Sequence, residues 1–296
     1  NSGNISTIFL SGNIHDFAGN EIQKRSFSFG LPENPGKFEM VFNEILFNPV
    51  SDEPDFIELY NNSEKIFDAS SLRLASINTE TGDTSDARLL STEQRCILPG
   101  SYYVVTTDRE KIINGFPNTV PENIFEISSL PSMPDDKGHL LLLNRQMDLI
   151  DEVIYTDDMH YSLLSGTEGI SLEKVRPGVS SAESINWHSA SESSGWGTPG
   201  AVNSVFSPSS DNNDRISFSS GRISPDNDGY EDVLVMDIDA VGAGNVITVN
   251  IFDERGSFVR WIAENYLAGE KATLVWDATA GDGSLVSRGI YIVLIE

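Results

Sequence analysis

Asp55-Phe56-Ile57-Glu58-Leu59-Tyr60 decides the fold class of this chain. Side chains of an extended strand alternate between faces, so Phe56, Glu58 and Tyr60 share one face while Ile57 and Leu59 share the other and can point into a core. The same two-residue period recurs in Val41-Phe42-Asn43-Glu44-Ile45-Leu46-Phe47, Tyr102-Tyr103-Val104-Val105-Thr106, His139-Leu140-Leu141-Leu142-Leu143 and Leu149-Ile150-Asp151-Glu152-Val153-Ile154-Tyr155. Clusters of Gly, Asn, Asp and Pro break these runs. The single helix expected is short, with Asp108 at the N-cap position before Arg109-Glu110-Lys111-Ile112-Ile113-Asn114 and Gly115 as its stop. Many short strands, frequent turn signals and one minor helix predict an all-β chain of β-sandwiches.

The 296 residues suffice for roughly two domains of about 100–200 residues each. Nineteen Lys plus Arg against 45 Asp plus Glu give a formal net charge of −26. Such a field repels phosphate backbones and anionic lipid surfaces, so nucleic acid is not an expected partner. Acidity of this kind ordinarily keeps a surface protein soluble. No run approaches the roughly 18 apolar residues of a membrane helix, so direct membrane insertion is not expected either. The first residues read as the middle of a folded module rather than as a charged-then-apolar signal segment, so the natural N-terminus is expected upstream. Cys96 is the one cysteine, which excludes an intrachain disulfide and a multi-cysteine zinc site. Within Arg95-Cys96-Ile97-Leu98 it reads as a small strand hydrophobe. A chain without disulfides fits export to a bacterial envelope, as a secreted or cell-surface protein.

Leu31-Pro32-Glu33-Asn34-Pro35-Gly36 and Ser207-Pro208-Ser209-Ser210-Asp211-Asn212-Asn213-Asp214 are the two composition breaks. They leave three pieces. In the middle piece, Phe42-Asn43-Glu44-Ile45-Leu46-Phe47-Asn48-Pro49, Asp55-Phe56-Ile57-Glu58-Leu59-Tyr60-Asn61 and Asp68-Ala69-Ser70-Ser71-Leu72-Arg73-Leu74 resemble, in order and spacing, the opening of bacterial lamin tail domains. Leu98-Pro99-Gly100-Ser101-Tyr102 resembles that family's turn before a strand. Gly169-Ile170-Ser171-Leu172-Glu173-Lys174, Asn186-Trp187 and Gly197-Thr198-Pro199-Gly200-Ala201 resemble its ending. The resemblance implies an immunoglobulin-like sandwich over about 37–205. Nuclear lamin function is not carried over, because the chain is acidic, has no coiled-coil rod and resembles the bacterial versions.

Ser224-Pro225-Asp226-Asn227-Asp228-Gly229-Tyr230-Glu231-Asp232, Val249-Asn250-Ile251-Phe252-Asp253-Glu254-Arg255-Gly256, Val275-Trp276-Asp277 and Gly289-Ile290-Tyr291-Ile292-Val293-Leu294 resemble the immunoglobulin-like domain of flagellar hook-capping and bacterial surface proteins. Ala278 departs from that pattern, which often has Gly after Trp-Asp. Ile14-His15-Asp16-Phe17-Ala18-Gly19-Asn20 with Ser26-Phe27-Ser28-Phe29 resembles the closing hairpin of such a repeat. The expected organisation is therefore 1–36 as terminal strands of a preceding repeat, 37–205 as a lamin-tail-like sandwich, 206–214 as linker and 215–296 as a hook-cap-like domain, in tandem immunoglobulin-like β-sandwiches.

Three features invite a chemical reading. Asp226, Asp228 and Asp232 could offer oxygens to calcium, which takes six to eight, although Ser224 and Val235 occupy the positions where a complete EF-hand loop has ligands and Asp-Asn-Asp-Gly is an ordinary turn-former. Glu44 and Glu58 could pair as catalytic carboxylates, but strand alternation routinely places such residues on the wet face, and structural polar contacts are the better reading of them. Trp196, in Ser193-Ser194-Gly195-Trp196-Gly197, looks free to be exposed and to stack a sugar, whereas Trp187 and Trp276 lie in motifs where packing explains them. His15, His139, His160 and His188 show no metal-ligand spacing, and no Gly-x-Ser-x-Gly elbow, His-Glu-x-x-His pair or phosphate loop is present. The stretches Thr79–Arg95 and Asn114–Lys137 are long and polar for a sandwich and form the expected ligand face.

These readings favour a non-catalytic modular protein for adhesion, display or scaffolding, with an unidentified protein or glycan ligand. The alternatives are an accessory region of a larger exported hydrolase or nuclease, and a carbohydrate-binding module.

Overall fold

The computed structural model describes residues 5–12, 14–21, 26–116, 119–161, 164–206, 216–239, 245–268 and 271–296. Of the expected linker 206–214, all but Phe206 lies outside the described residues. The chain is all-β, with one short helix. In chain order the strands are β1 (Ser6–Phe9), β2 (Ser26–Phe29), β3 (Met40–Leu46), β4 (Phe56–Asn61), β5 (Phe67–Asp68), β6 (Arg73–Ile77), β7 (Arg88–Leu89), β8 (Cys96–Ile97) and β9 (Tyr102–Thr106). Helix α1 (Arg109–Gly115) follows, with the Asp108 carboxylate accepting from Lys111 N–H as its N-cap. Then come β10 (Ile124–Glu126), β11 (Lys137–Leu143), β12 (Leu149–Thr156), β13 (Leu172–Lys174), β14 (Trp187–Ser189), β15 (Ile216–Phe218), β16 (Leu234–Asp239), β17 (Asn245–Asp253), β18 (Phe258–Ala268), β19 (Lys271–Trp276) and β20 (Tyr291–Ile295).

A six-stranded sheet in the order β10-β9-β4-β3-β13-β14 faces a four-stranded sheet in the order β12-β11-β6-β7. Between them lies one core, filled by Phe42, Ile45, Ile57, Leu59, Val105 and Leu172 from the first sheet and by Leu74, Leu140, Leu142, Val153 and Tyr155 from the second. Ile57 and Leu59 thus point inward as the alternation predicts. A register shift at Asn43 changes which residues of β3 face that core. Met40 and Phe42 point in before it, Ile45 and Phe47 after it, and Glu44 is turned to the opposite face.

That opposite face is not wet. Leu46, Phe56 and Val104 are buried there against Ile112 of α1 and Ile124 of β10. Phe56 and Glu58 are both fully buried, which corrects the expectation of a solvated outer face. β10 was also hidden in the sequence. It sits inside the Asn114–Lys137 stretch, which reads as loop, and pairs parallel with β9. Three residues are too few to show a period, and the strand is held by packing: Phe125 stacks on Tyr103 at 5.5 Å, with the Arg95 guanidinium 4.2 Å over its ring.

The last module builds a second core between the sheets β15-β16-β19 and β18-β17-β20, from Met236, Val249, Ile251, Leu274 and Trp276 among others. Its β17–β18 hairpin turns at Asp253-Glu254-Arg255-Gly256, where Gly256 has φ +79° and the Asp253 carboxylate accepts from Arg255 and Ser257 N–H. Ala278, the departure noted above, is buried and adopts φ +59°, a conformation that favours glycine.

At the N-terminal end β1 and β2 pair antiparallel, with all their residues exposed. After them the chain reaches the central sandwich, where Glu33 N–H donates to Ile66 carbonyl at 2.7 Å and Pro35 is buried. Cys96 is half-buried near Gly30, while its neighbour Ile97 takes the core position.

Candidate functional site

The register β4-β3-β13 sets Glu58 opposite Glu44 and Glu44 opposite Glu173. Three carboxyl groups therefore stand in one row across three strands, all fully buried. The segment 195–205 lies over them and supplies their donors. Thr198 N–H donates to Glu44 at 2.9 Å, Gly200 N–H to Glu58 at 2.5 Å, and Val205 N–H and Ser204 hydroxyl to Glu173 at 3.1 and 2.7 Å. Thr198 hydroxyl reaches Glu173 at 2.8 Å, and Ser171 hydroxyl reaches Glu44 at 2.5 Å. Asn43 ties in the same segment through Asn203, donating to its side-chain oxygen at 2.7 Å and to Glu58 at 2.8 Å.

Burial raises all three carboxyls, and repulsion from their neighbours adds to it at Glu44 and Glu58. Loss of water pushes Glu58 up to about 8, against the hydrogen bonds from Asn43 and Gly200. Glu44 is raised well above the usual carboxylate range by the same desolvation and by Glu173 and Glu58. Glu173 moves in the same direction. The row is a latch: the closing motif is fastened onto the sheet by carboxyls that no solvent reaches. Glycine is required where it closes. Gly200 has φ +85°, and a Cβ there would sit 3.2 Å from Val120 nitrogen; at Gly197 it would sit 2.7 Å from the Phe116 ring and 3.0 Å from Glu44.

A second buried polar group lies on the other face of β13. Lys174 Nζ donates to Ser181 hydroxyl at 3.1 Å and to Pro177 carbonyl at 3.2 Å, and Ser181 donates to Asp151 at 2.6 Å. Burial lowers Lys174 to about 8, with Asp151 opposing. Asp151 also accepts Phe42 N–H at 2.8 Å, which links the two sheets. Sequence reading singles out Glu44 and Glu58 and favours structural polar contacts for them, as found. It misses Glu173, the covering segment and the Lys174–Asp151 group; the legible signal for a cover is Leu46, Phe56 and Val104, apolar residues at outward positions.

The structure brings Asp226, Asp228 and Asp232 together, with one oxygen of each within 4.8 Å of the others. Much of the loop's polar capacity is engaged. Asp232 is buried and accepts Asn227 N–H at 2.6 Å and Gly229 N–H at 2.7 Å, one on each oxygen. Asp228 accepts Tyr230 N–H at 2.8 Å, and Asp226 accepts Asp228 N–H at 3.3 Å. The loop's outward groups dock on the central sandwich: Asn227 side chain donates to Ala190 carbonyl at 3.0 Å, Glu192 N–H donates to Asn227 carbonyl at 2.9 Å, and Ser193 hydroxyl donates to Asp228 carbonyl. Beside this dock, Arg176 pairs with Asp237, and Val175, Val205 and Val235 share a small core.

Trp196 is half-buried at φ +68°, its carbonyl accepting Ser171 N–H at 3.0 Å. Trp187 and Trp276 are buried, as their motifs suggested, and Trp261 is the most exposed tryptophan at 53%. His160 and His188 both bond to Ser189, through its hydroxyl at 3.0 Å and its carbonyl at 2.9 Å; burial, with His188 adding, drives His160 down to about 4.

The two long stretches converge. Thr79, Glu80, Thr81, Asp83 and Thr84 from one and Ser132, Pro134 and Asp136 from the other line a cleft of about 600 Å³ at the end of β6 and β11. Its walls are held locally. Asn78 carbonyl accepts Gly82 N–H at 2.8 Å, Asn78 side chain accepts Glu80 and Thr81 N–H, and Tyr155 hydroxyl donates to Pro134 carbonyl at 3.0 Å. Glu80, Asp83 and Asp136 outnumber Lys137 on the lining, so the cleft is acidic.

Compared with known proteins, the chain matches no family model and no curated protein.

Proposed function

We propose that this chain is a non-catalytic, modular binding or scaffolding protein of the bacterial envelope, secreted or held at the cell surface, which takes its ligand in the cleft between the two long loops. The observation that carries the reading is the convergence of 79–84 and 132–136 on one acid-lined cleft. Its lining favours a neutral or basic polar ligand, a glycan or a protein segment, over an anionic one. The carboxyls best suited to acid–base work, Glu44, Glu58 and Glu173, are engaged in the latch.

The central sandwich is, in this reading, a lamin-tail-like immunoglobulin-like module followed by a hook-cap-like one. Supporting it, the residues that carry the resemblance touch one another: of the opening motif, Glu58 holds Gly200 of the closing motif and Glu44 holds Thr198.

Arrays of glycans and of neutral and basic peptides test the cleft. Saturable binding that weakens at least tenfold in Asp83→Lys/Asp136→Lys, with melting unchanged, supports it; binding indifferent to that reversal, or none, overturns it. A screen against nucleic acid, peptide, ester and glycoside substrates tests the non-catalytic reading, which turnover abolished by a single carboxylate or histidine substitution would sink. Calcium at Asp226, Asp228 and Asp232 is a separate proposal. It requires melting that rises with calcium in the wild type and is indifferent to calcium in Asp228→Ala.

A further inference from the structure

The edge of β20 is where the last module lacks a neighbour. Among the described residues β20 pairs with β17 alone. Thr248 and Glu296 exchange both backbone hydrogen bonds, at 3.0 and 2.9 Å. In an antiparallel ladder such pairs recur at every second residue, so Leu294 and Ile292 also bond toward β17, opposite Asn250 and Phe252. The N–H and C=O groups of Tyr291, Val293 and Ile295 consequently point out of the sheet.

Edges are ordinarily protected by charge, proline or bulges. The far edge of this sheet follows that rule: β18 carries Arg260 and Glu264, and its pairing with β17 shifts register at three places. β20 has no such protection. Ile290-Tyr291-Ile292-Val293-Leu294-Ile295 contains no charge and no proline. Ile290, Ile292 and Leu294 are 70%, 50% and 42% exposed, and Tyr291, Val293 and Ile295, which pack on the core, are only half-buried.

We propose that β20 pairs antiparallel with β20 of a second copy about Val293, joining two three-stranded sheets into one of six strands. The symmetry fits the strand. Centring on Val293 sets Tyr291 against Ile295 and Ile292 against Leu294, so every pair within β20 is apolar, and it places Ile290 opposite Glu296 at the two ends of the seam. It also sets the outward-pointing backbone groups of residues 291, 293 and 295 against their equivalents, which is the arrangement a hydrogen-bonded ladder needs. Such a contact is isologous and closes at two copies. The absence of charge along the strip lets two chains of net charge −26 approach there, and added salt screens the remaining repulsion and strengthens the pair.

Analytical ultracentrifugation of the full chain over a hundredfold concentration range tests this. A monomer–dimer equilibrium that salt tightens is expected. Val293→Pro removes an outward N–H and leaves the ladder to β17 intact, so it should raise the dissociation constant at least tenfold. Should that variant fail to fold, Ile292→Lys/Leu294→Lys alters only exposed side chains and sets four like charges along the seam, and it should do the same. A strictly monomeric wild type overturns the proposal, and so does a dimer that both variants leave intact. Dissociation by Trp261→Ser with both β20 variants neutral would assign association to the exposed sheet face instead, and would equally overturn it.

Discussion

Glu58 offers the sharpest quantitative test, because its carboxyl is fully buried and raised from an ordinary 4.5 to about 8. The folded chain keeps that proton up to about pH 8, whereas the unfolded chain releases it near 4.5. Between those values the folded state binds more protons, so the stability it confers is complete at low pH and is lost as pH rises through 8. One proton of difference amounts to about 1.36 kcal/mol per pH unit. His160 acts in the opposite sense: lowered from 6.5 to about 4, it adds stability as pH rises from 4 to 6.5 and nothing further above that. The two effects oppose each other below pH 6.5. From 6.5 to 8 raised carboxyls alone act: half-buried Asp55, pushed up to about 7 by loss of water and by Asp135, contributes up to that pH, and Glu58 by itself removes roughly 2 kcal/mol over those 1.5 units. Glu44 and Glu173 are raised in the same direction and deepen the loss, while Lys174, lowered to about 8, restores stability only above that pH.

Urea unfolding at pH 6.5, 7.2 and 8.0 reads this directly. Wild-type stability should fall across the series, and Glu58→Gln, which keeps the shape without the titration, should show a shallower slope at some loss of absolute stability. Stability that is level or rising from pH 6.5 to 8, or an unchanged slope in Glu58→Gln, would refute the argument that these carboxyls are held protonated in the fold.

Gly200→Ala should destabilise by about 1–3 kcal/mol, since it combines a strained left-handed alanine with displacement of the amide that Glu58 accepts, and Ser204→Ala should lose less because Val205 N–H still holds Glu173. Asp232→Ala should lower melting with chelator present, by the equivalent of about 1–3 kcal/mol, because it orphans the N–H groups of Asn227 and Gly229; a loss seen only with calcium present would be the contrary result. Arg176→Ala leaves Asp237, part-buried, with Thr273 as its remaining partner, and should cost about 3 kcal/mol at both low and high salt, as differential scanning calorimetry can measure.

Local pattern carried the strands, and distant contact decided the rest. Ile57 and Leu59 were legible as core because a period of two needs only five residues. The burial of Phe56 and Glu58 was not, because alternation assigns side chains to faces and does not say whether a face is covered. The cover comes from 195–205, some 140 residues further along the chain. The Asp226–Asp232 cluster was legible for the opposite reason: its geometry is made within seven residues. What escaped was the loop's engagement with Ala190, Glu192 and Ser193, which belong to the other module. Trp196 looked free because serines and glycines flank it, yet those residues form the tight turn that folds it into the latch.

The latch also accounts for an arrangement that composition alone would disfavour. Three buried glutamates in one row repel one another if ionised, and none has a cation beside it among the described residues. A row of leucines would bury more apolar area, but it would offer nothing to the N–H groups of Thr198, Gly200 and Val205, which run across the sheet without a strand ladder of their own. Buried backbone donors need acceptors. The glutamates supply them at three successive strands and so fix where the closing segment crosses. That position sets Val205 against Val175 and Val235 at the junction with the last module. The residues that fasten the central sandwich shut thus also place the surface on which the last module and its Asp226–Asp232 loop are seated, and weakening the latch should loosen that seat before it opens the core between the two sheets.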